Sequence, residues 1–269
     1  MPARTPRIIV AASAAFLLAG AAPPAPAPIA LWRLDCGRIS GEETGAPPWR
    51  KRLLPVGCYL IRNGGRYMLW DAGMSARLAG NPRPTMSLDR TLVDQLAEIG
   101  VAPGAVEYVG ISHYHGDHTG QASKFPKAKL LIGAGDLAAL KASPPPAGSS
   151  PDHLAPWISG GAPVAALIED HDVFGDGRVT LLMTPGHTPG HSALLVRLAS
   201  GNVLLSGDLW QNHGDVLTDE MPPFNTSRAE TAASRERFRR LAYKLDATVI
   251  LQHEAADIDK LPPFPQSAR

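Results

Sequence analysis

An α/β domain built in layers is the fold class this sequence predicts, and three observations predict it. Short apolar runs of strand length recur along the chain, with helical patterns between them. Several of those runs end in histidine or aspartate, and strand ends are where a rigid sheet holds side chains in register. The chain has 269 residues, 44% of them hydrophobic, enough to bury a substantial core. Both halves mix strands with helices and no internal repeat stands out, so the class is α/β (α+β) in layers.

The elements follow in order. Residues 1–28 read as a signal peptide and a Pro/Ala linker, and residues 29–269 as one folded domain. Arg4 and Arg7 precede the apolar run Ile8 to Leu18, and small residues follow, which is the layout of an export signal. The run is shorter than the ~20 residues of an ordinary membrane span, so no stable membrane insertion is expected once it is removed. An uncleaved anchor is the alternative. The expected location is periplasmic or secreted. Trp32, Leu34 and Cys36 alternate with charged residues as a half-buried strand does. Val56 to Ile61 and Tyr67 to Trp70 flank Asn63-Gly64-Gly65, a hairpin signal. A polar loop over 74–87 precedes a helix with Leu88, Leu92 and Leu96 on one face, stopped by Gly100. Strand 106–111 follows, then strand 130–132 and a short helix over 136–141. Residues 142–163 are rich in Pro, Gly and Ser and carry Trp157; they read as a partial lid or as a surface loop. Strands are expected over 164–168, 178–183, 192–198 and 202–207. Ser227 to Glu230 has the capping-box pattern, opening a helix that buries Phe238, Leu241, Ala242 and Leu245. Strand 247–251 and a Pro-rich tail close the chain.

Charge excludes some partners. Without Arg4 and Arg7 the basic count falls from 26 to 24 against 25 acids, a formal net charge of −1, and no charge block stands out. Nucleic acid is therefore not an expected partner; a small molecule is, and a homodimer is compatible. Cys36 and Cys58 are the only cysteines. Two buried free thiols are the expected state. An oxidising compartment would permit a disulfide between them, since they sit on the first two strands.

The run His113-Tyr114-His115-Gly116-Asp117-His118 carries four candidate metal ligands directly after a strand. His113 and His115 project to one side if the backbone stays extended, while Asp117 and His118 face a second point where the chain turns. His187 lies in a loop fixed by two Pro-Gly pairs, Asp208 ends the run Val203 to Leu205, and His253 ends the run Thr248 to Leu251. Nitrogen and carboxylate donors without thiolate suit zinc, with manganese, iron or cobalt compatible. The set is too small to close two metal shells, so open positions for water are expected. The expectation is two metal ions: His113, His115 and His187 on one, Asp117, His118 and His253 on the other, Asp208 between them. Metals lower the pKa of bound water from ~15.7 to about 7, and Asp117 is the candidate catalytic group that orients the nucleophile and carries its proton.

At these residues the chain resembles the metallo-β-lactamase superfamily. Leu34 to Gly37, Pro55 to Ile61, Leu69 to Gly73, Gly110 to Ser112 and Thr184 to His191 are similar to its N-acyl homoserine lactonase branch. The resemblance runs from Leu31 to the C-terminal tail. It implies a four-layered αβ/βα sandwich over 29–269, two metals, and lactone-ring opening. The lactonase pattern often places a tyrosine close after the bridging aspartate; here Trp210 and Gln211 stand instead, as candidate substrate contacts. Trp210 and the Trp157 loop are the expected apolar walls for an acyl chain. Asp71 is a candidate for orienting the metal loop through hydrogen bonds. His153, His171, His191 and His213 are read as ordinary polar histidines, His213 with a substrate or supporting role as the alternative. The competing functions are a β-lactamase-like enzyme, a thioesterase, or a non-catalytic metal protein. Asp208 argues against the first, since those enzymes generally carry cysteine or serine there. The short chain after His253 argues against the second.

Overall fold

The computed structural model describes Met1, residues 28–42 and residues 51–269. The leader-like run and nearly all of the Pro/Ala linker (2–27), and Trp49 within 43–50, lie outside the described residues.

Strands β1 (Ile29–Glu42) and β2 (Lys51–Asn63) pair antiparallel over their length. The chain then reverses at Gly64, whose φ of 63° suits a residue without Cβ, into β3 (Arg66–Trp70), with Asn63 opposite Arg66. The two-residue β4 (Met86–Ser87) pairs with β1. Helix α1 (Leu92–Glu98) begins later than the Leu88 pattern proposes. Thr91 and Asp94 form a full capping box there, so Leu88 is buried ahead of the helix instead of inside it. After α1 come β5 (Val106–Gly110), α2 (Gly116–Thr119), β6 (Lys129–Gly133), α3 (Ala134–Leu140), α4 (Ala155–Ile158) and β7 (Val164–Leu167). Strands β3, β5, β6 and β7 run parallel and complete a seven-stranded sheet of order β4-β1-β2-β3-β5-β6-β7.

The second half adds β8 (His171–Asp172), β9 (Val179–Met183), β10 (Ser192–Leu198), β11 (Gly201–Leu205), α5 (His213–Thr218), α6 (Arg228–Leu245) and β12 (Thr248–Ile250). Its five strands are ordered β12-β11-β10-β9-β8, with β12 parallel to β11 and the rest antiparallel.

Alternation of side chains along each strand builds the layers. Leu31, Tyr59, Ile61, Met68 and Trp70 from the first sheet meet Leu181, Leu194, Val196, Leu205 and Ile250 from the second. Their strand neighbours point the other way. Trp32, Leu34, Leu60 and Leu69 pack under α1 and α3, and Ala193, Leu195 and Leu204 pack under Phe238 of α6. Helix, sheet, sheet, helix is the four-layered αβ/βα sandwich. Among the described residues no helix is long and apolar enough to cross a membrane.

Three expectations are corrected. Residues 142–163 fold into a helical turn (Pro151–Leu154) and α4, and Trp157 is buried at 1% exposure with its Nε1 donating to Ala128 O. Trp157 is therefore a core residue; the turn at Gly148-Ser149 reaches the histidine loop, where Gly116 N donates to Gly148 O, and His153 meets Thr119 behind it. Ser227 caps Glu230 N, but α6 buries Thr231, Ser234, Arg235 and Phe238, while Leu241, Ala242 and Leu245 are half-buried. Cys36 and Cys58 are not free thiols: they form a disulfide across β1 and β2 at a sequence separation of 22. Closing a loop of that length contributes about 3 kcal/mol by restricting the unfolded chain.

Candidate metal centre

The centre lies where the ends of the two sheets meet. β5 delivers His113 and His115, α2 carries Asp117 and His118, the β9–β10 loop carries His187, and the chain after β11 and β12 presents Asp208 and His253. The structure brings all seven together in two groups. His113, His115, His187 and Asp208 have donor atoms within 4.8 Å of one another, and so do Asp117, His118 and His253.

The groups share Asp208. Its Oδ2 lies 3.8 Å from His113 Nε2 and 3.7 Å from His187 Nε2. Its Oδ1 lies 3.3 Å from both His118 Nε2 and His253 Nε2. Asp117 Oδ2 stands 3.6 Å from His118 Nε2 and 3.5 Å from His253 Nε2. Each oxygen of one carboxylate thus faces a different group.

Outer hydrogen bonds fix which ring nitrogen carries the proton. His253 Nδ1 can only donate to Pro55 O at 3.0 Å, which leaves the Nε2 lone pair toward the centre. His118 Nδ1 donates to Asp71 Oδ2 at 2.9 Å, and His187 Nδ1 faces Asn225 Oδ1 at 2.8 Å, with the same result. His115 turns its Nδ1 inward, 2.8 Å from His113 Nε2 and 3.2 Å from His187 Nε2.

Electrostatics follows from this crowding. Burial, then the neighbouring His118, holds His113 well below the ordinary histidine pKa. Burial and His187 push His115 down to about 4. His187 is lowered as well, again chiefly by burial. Burial also opposes charge on His118 and on His253, but Asp208 and Asp117 overcome it and raise both. Burial likewise opposes ionisation of Asp208, yet His253, His118 and His113 hold its carboxyl well below the usual range. For His113, His115 and His187 beside ionised Asp208 these are the protonation states a divalent cation requires, and at His118 and His253 a cation would take the place of the proton that the carboxylates draw there. His118 Nε2 and Asp208 Oδ1 are buried without a hydrogen-bond partner among the described residues. Such orphaned atoms are costly unless something satisfies them. The donor set therefore fits a metal, and oxygen and nitrogen ligands without sulfur fit a first-row divalent ion.

Four supports escape a reading of the sequence. Asp136, at the start of α3, accepts from Tyr114 N, Thr188 Oγ1 and Gly190 N, tying the His113–His118 loop to the His187 loop. Burial raises its pKa to about 7 against the pull of those donors. Asn225 holds His187 and Thr231. Ser112 Oγ donates to Asp71 Oδ2. His191 is the fourth, and it is not the ordinary polar histidine expected: fully buried, it accepts from Asp208 N through Nε2 and meets Thr184 O with Nδ1. Gly207, at φ 54°, has no room for a Cβ beside that ring. The only prior signal for His191 is its place in the second Pro-Gly-His.

Asp71, at a strand end with φ 57°, accepts from Ser112 N and His118 Nδ1, so it orients the loop and the ligand together. Gln211 Nε2 donates to Asp208 Oδ2 at 3.0 Å, which puts it at the edge of the centre. Trp210 does not: it is 2% exposed and packs with Phe238 under Arg235 and Arg239, in the outer apolar layer. His213 pairs with Asp257 at 2.9 Å on the surface, and His153 pairs with Thr119. His171 is a half-buried strand residue. Phe224 stands beside the centre instead of Trp210. Its ring is 61% exposed and stands edge-on to His187 and His115, at centroid distances of 5.7 and 6.2 Å.

Comparison with known proteins places this architecture. Residues 52–253 match the metallo-beta-lactamase superfamily. An N-acyl homoserine lactonase AttM of Rhizobium radiobacter is 30% identical over 247 residues, covering 78% of this chain and 87% of that protein. An N-acyl homoserine lactonase of Bacillus thuringiensis is 26% identical, covering 88% and 97%. The crystal structure of a quorum-quenching N-acyl homoserine lactone lactonase superposes with a TM-score of 0.76 at 23% identity, covering 90% of this chain and all of that one. The chain belongs to the metallo-beta-lactamase superfamily, as a metal-dependent hydrolase similar to its N-acyl homoserine lactonases.

Proposed function

We propose that the protein is an exported dinuclear hydrolase that opens the lactone ring of N-acyl homoserine lactones, with zinc as its metal. The observation that carries the two-metal reading is Asp208, one carboxylate whose two oxygens face two separate ligand groups. The substrate class rests on the lactonase relatives. The disulfide and the leader-like N-terminus support a periplasmic or secreted location.

His113, His115 and His187 would hold one ion, Asp117, His118 and His253 the other, with Asp208 bridging. Two such cations would supply a water acidic enough to deprotonate near neutral pH and positive charge for a developing oxyanion. The chain's own groups do the rest. Asp117 faces His118 and His253 with its side chain 19% exposed, so it can accept the water's proton and still exchange with solvent. It then returns that proton to the ring oxygen as the carbonyl carbon–oxygen bond breaks. Gln211 keeps Asp208 oriented. The ester carbonyl is more electrophilic than the side-chain amide, so the ring opens and the amide survives.

Incubation with N-hexanoyl homoserine lactone is expected to give N-hexanoyl homoserine, its mass raised by one water and its amide intact. Release of homoserine lactone and hexanoate would overturn the reaction class. Turnover of penicillins or glutathione thioesters, with acyl lactones untouched, would favour a β-lactamase-like or thioesterase activity.

Phe224 is the apolar surface beside the histidines, and an acyl chain laid on it would lose water from both. Phe224→Ala is expected to raise KM for a long-chain lactone roughly tenfold, the scale of exposing part of an aromatic side chain, with kcat nearly unchanged. Equal effects on short- and long-chain lactones would assign Phe224 no part in chain recognition.

A further inference from the structure

The Cys36–Cys58 disulfide stands between the two pieces of scaffold that position Asp117, His118 and His253. On the Cys58 side, the β1–β2 register is regular as far as Asp35 opposite Gly57, and resumes only at Arg38 opposite Pro55. Gly37, at φ 117°, makes the bulge. Across that gap the carbonyls of β2 serve another element. Gly57 O accepts from Gln252 Nε2 at 2.6 Å, and Pro55 O accepts from His253 Nδ1 at 3.0 Å. The strand therefore holds the ligand His253 where its own ladder is interrupted, and the disulfide closes that interruption.

On the Cys36 side, Cys36 O accepts from Met74 N, and Gly73 lies against the disulfide so closely that a Cβ there would fall 2.3 Å from Cys36 Cβ. The same short loop grips α2. Ala72 N donates to His118 O, Gly120 N donates to Gly73 O, and Gln121 N donates to Ala72 O. Asp71, at its start, orients the His118 ring. A Cβ on Gly120 would lie 2.3 Å from the Met74 backbone, so the loop and α2 touch without a gap.

The other group shares one link with this loop, Ser112, whose N donates to Asp71 and whose Oγ meets His113 Nδ1 at 3.1 Å; its remaining supports are separate. His187 is held by Asn225, the His113 and His187 loops by Asp136, and the Asp208 backbone by His191. None of these passes through β1 or β2.

We propose that the Cys36–Cys58 disulfide is a positioning element of the metal centre. It keeps His253 in register with Asp117 and His118, and so sets how tightly that group holds its ion, while the group of His113, His115 and His187 is held chiefly by other contacts. The proposal rests on the two-metal reading, and the test separates the two.

Two forms lacking the bridge are compared with the disulfide form: the Cys36→Ala/Cys58→Ala variant, and the unchanged chain produced as a dithiol in a reducing compartment. Oxidised glutathione converts the dithiol to the disulfide, two thiols losing two hydrogens as glutathione disulfide becomes two glutathione molecules. Zinc per chain and the rate of zinc transfer to a chromogenic chelator are measured on each, with thermal unfolding alongside. The disulfide form is expected to hold two zinc ions. Both bridge-free forms are expected to release one at least about tenfold faster, the lower end for loss of a group that orients a metal ligand, and the other at an unchanged rate. Oxidation should restore the slow release. Unchanged rates for both ions, or equal acceleration of both in step with a lower unfolding temperature, would overturn the positioning role. A disulfide form that holds one zinc would instead overturn the two-metal premise.

Discussion

Asp208→Ala is expected to lower kcat/KM for an acyl lactone by more than about 100-fold, beyond the range typical for groups that only support a ligand. The reason is electrostatic. Two cations a few ångströms apart repel, and Asp208 places one oxygen toward each ligand group. It is also a buried carboxylate held ionised, which would offset cation charge where little water reaches. The variant should still fold, because the Asp208 position is fixed through its backbone N–H to His191 and the flanking Leu209 and Trp210 stay in the outer core. Elemental analysis is expected to find fewer than two metals in a chain whose circular dichroism is unchanged. Full activity with two metals retained would remove the bridging role.

Removal of metal should have the second large effect. A strong chelator is expected to abolish lactone hydrolysis, since no described side chain replaces a cation in making water acidic. It should also destabilise the fold. Ligands that bind only the folded state add about 4 kcal/mol when present at ~1,000 times their dissociation constant. For a domain of this size, that corresponds to a fall in Tm of roughly 8–16 °C. Without cations, five ligand histidines crowd around two carboxylates, and His118 Nε2 and Asp208 Oδ1 are left buried without partners. Zinc should restore both activity and Tm. A chelated chain that keeps full activity would exclude the metal-dependent route.

The amino-acid sequence determined the fold class, the strand order of the first hairpin and the seven residues that converge. Those features are local. A strand's alternation is written in neighbouring residues, a Gly-containing turn needs a particular backbone, and His-x-His-x-Asp-His places its donors within one turn of chain. Trp157 and Trp210 show where local reading stops. Both are aromatic residues near the motifs, yet each is buried in an outer layer, because the groups that cover them, Ala128 for Trp157 and Phe238 for Trp210, come from distant parts of the chain. Phe224 faces the centre only because Asn225 and Thr226 are tied to His187.

Other decisions belonged wholly to the tertiary structure. Cys36 and Cys58 became a disulfide because antiparallel pairing of β1 with β2 brought their Cα atoms to 5.8 Å. His191 became the acceptor for Asp208 N because β10 and β11 are neighbours and Gly207 leaves room for the ring. Asp136 joined two metal loops that are far apart in sequence, 52 residues separating it from Thr188. A donor set can be read along a chain, since ligand chemistry is a property of residue type. The hydrogen bonds that aim those ligands join residues distant in sequence, so they exist only once the two sheets have packed.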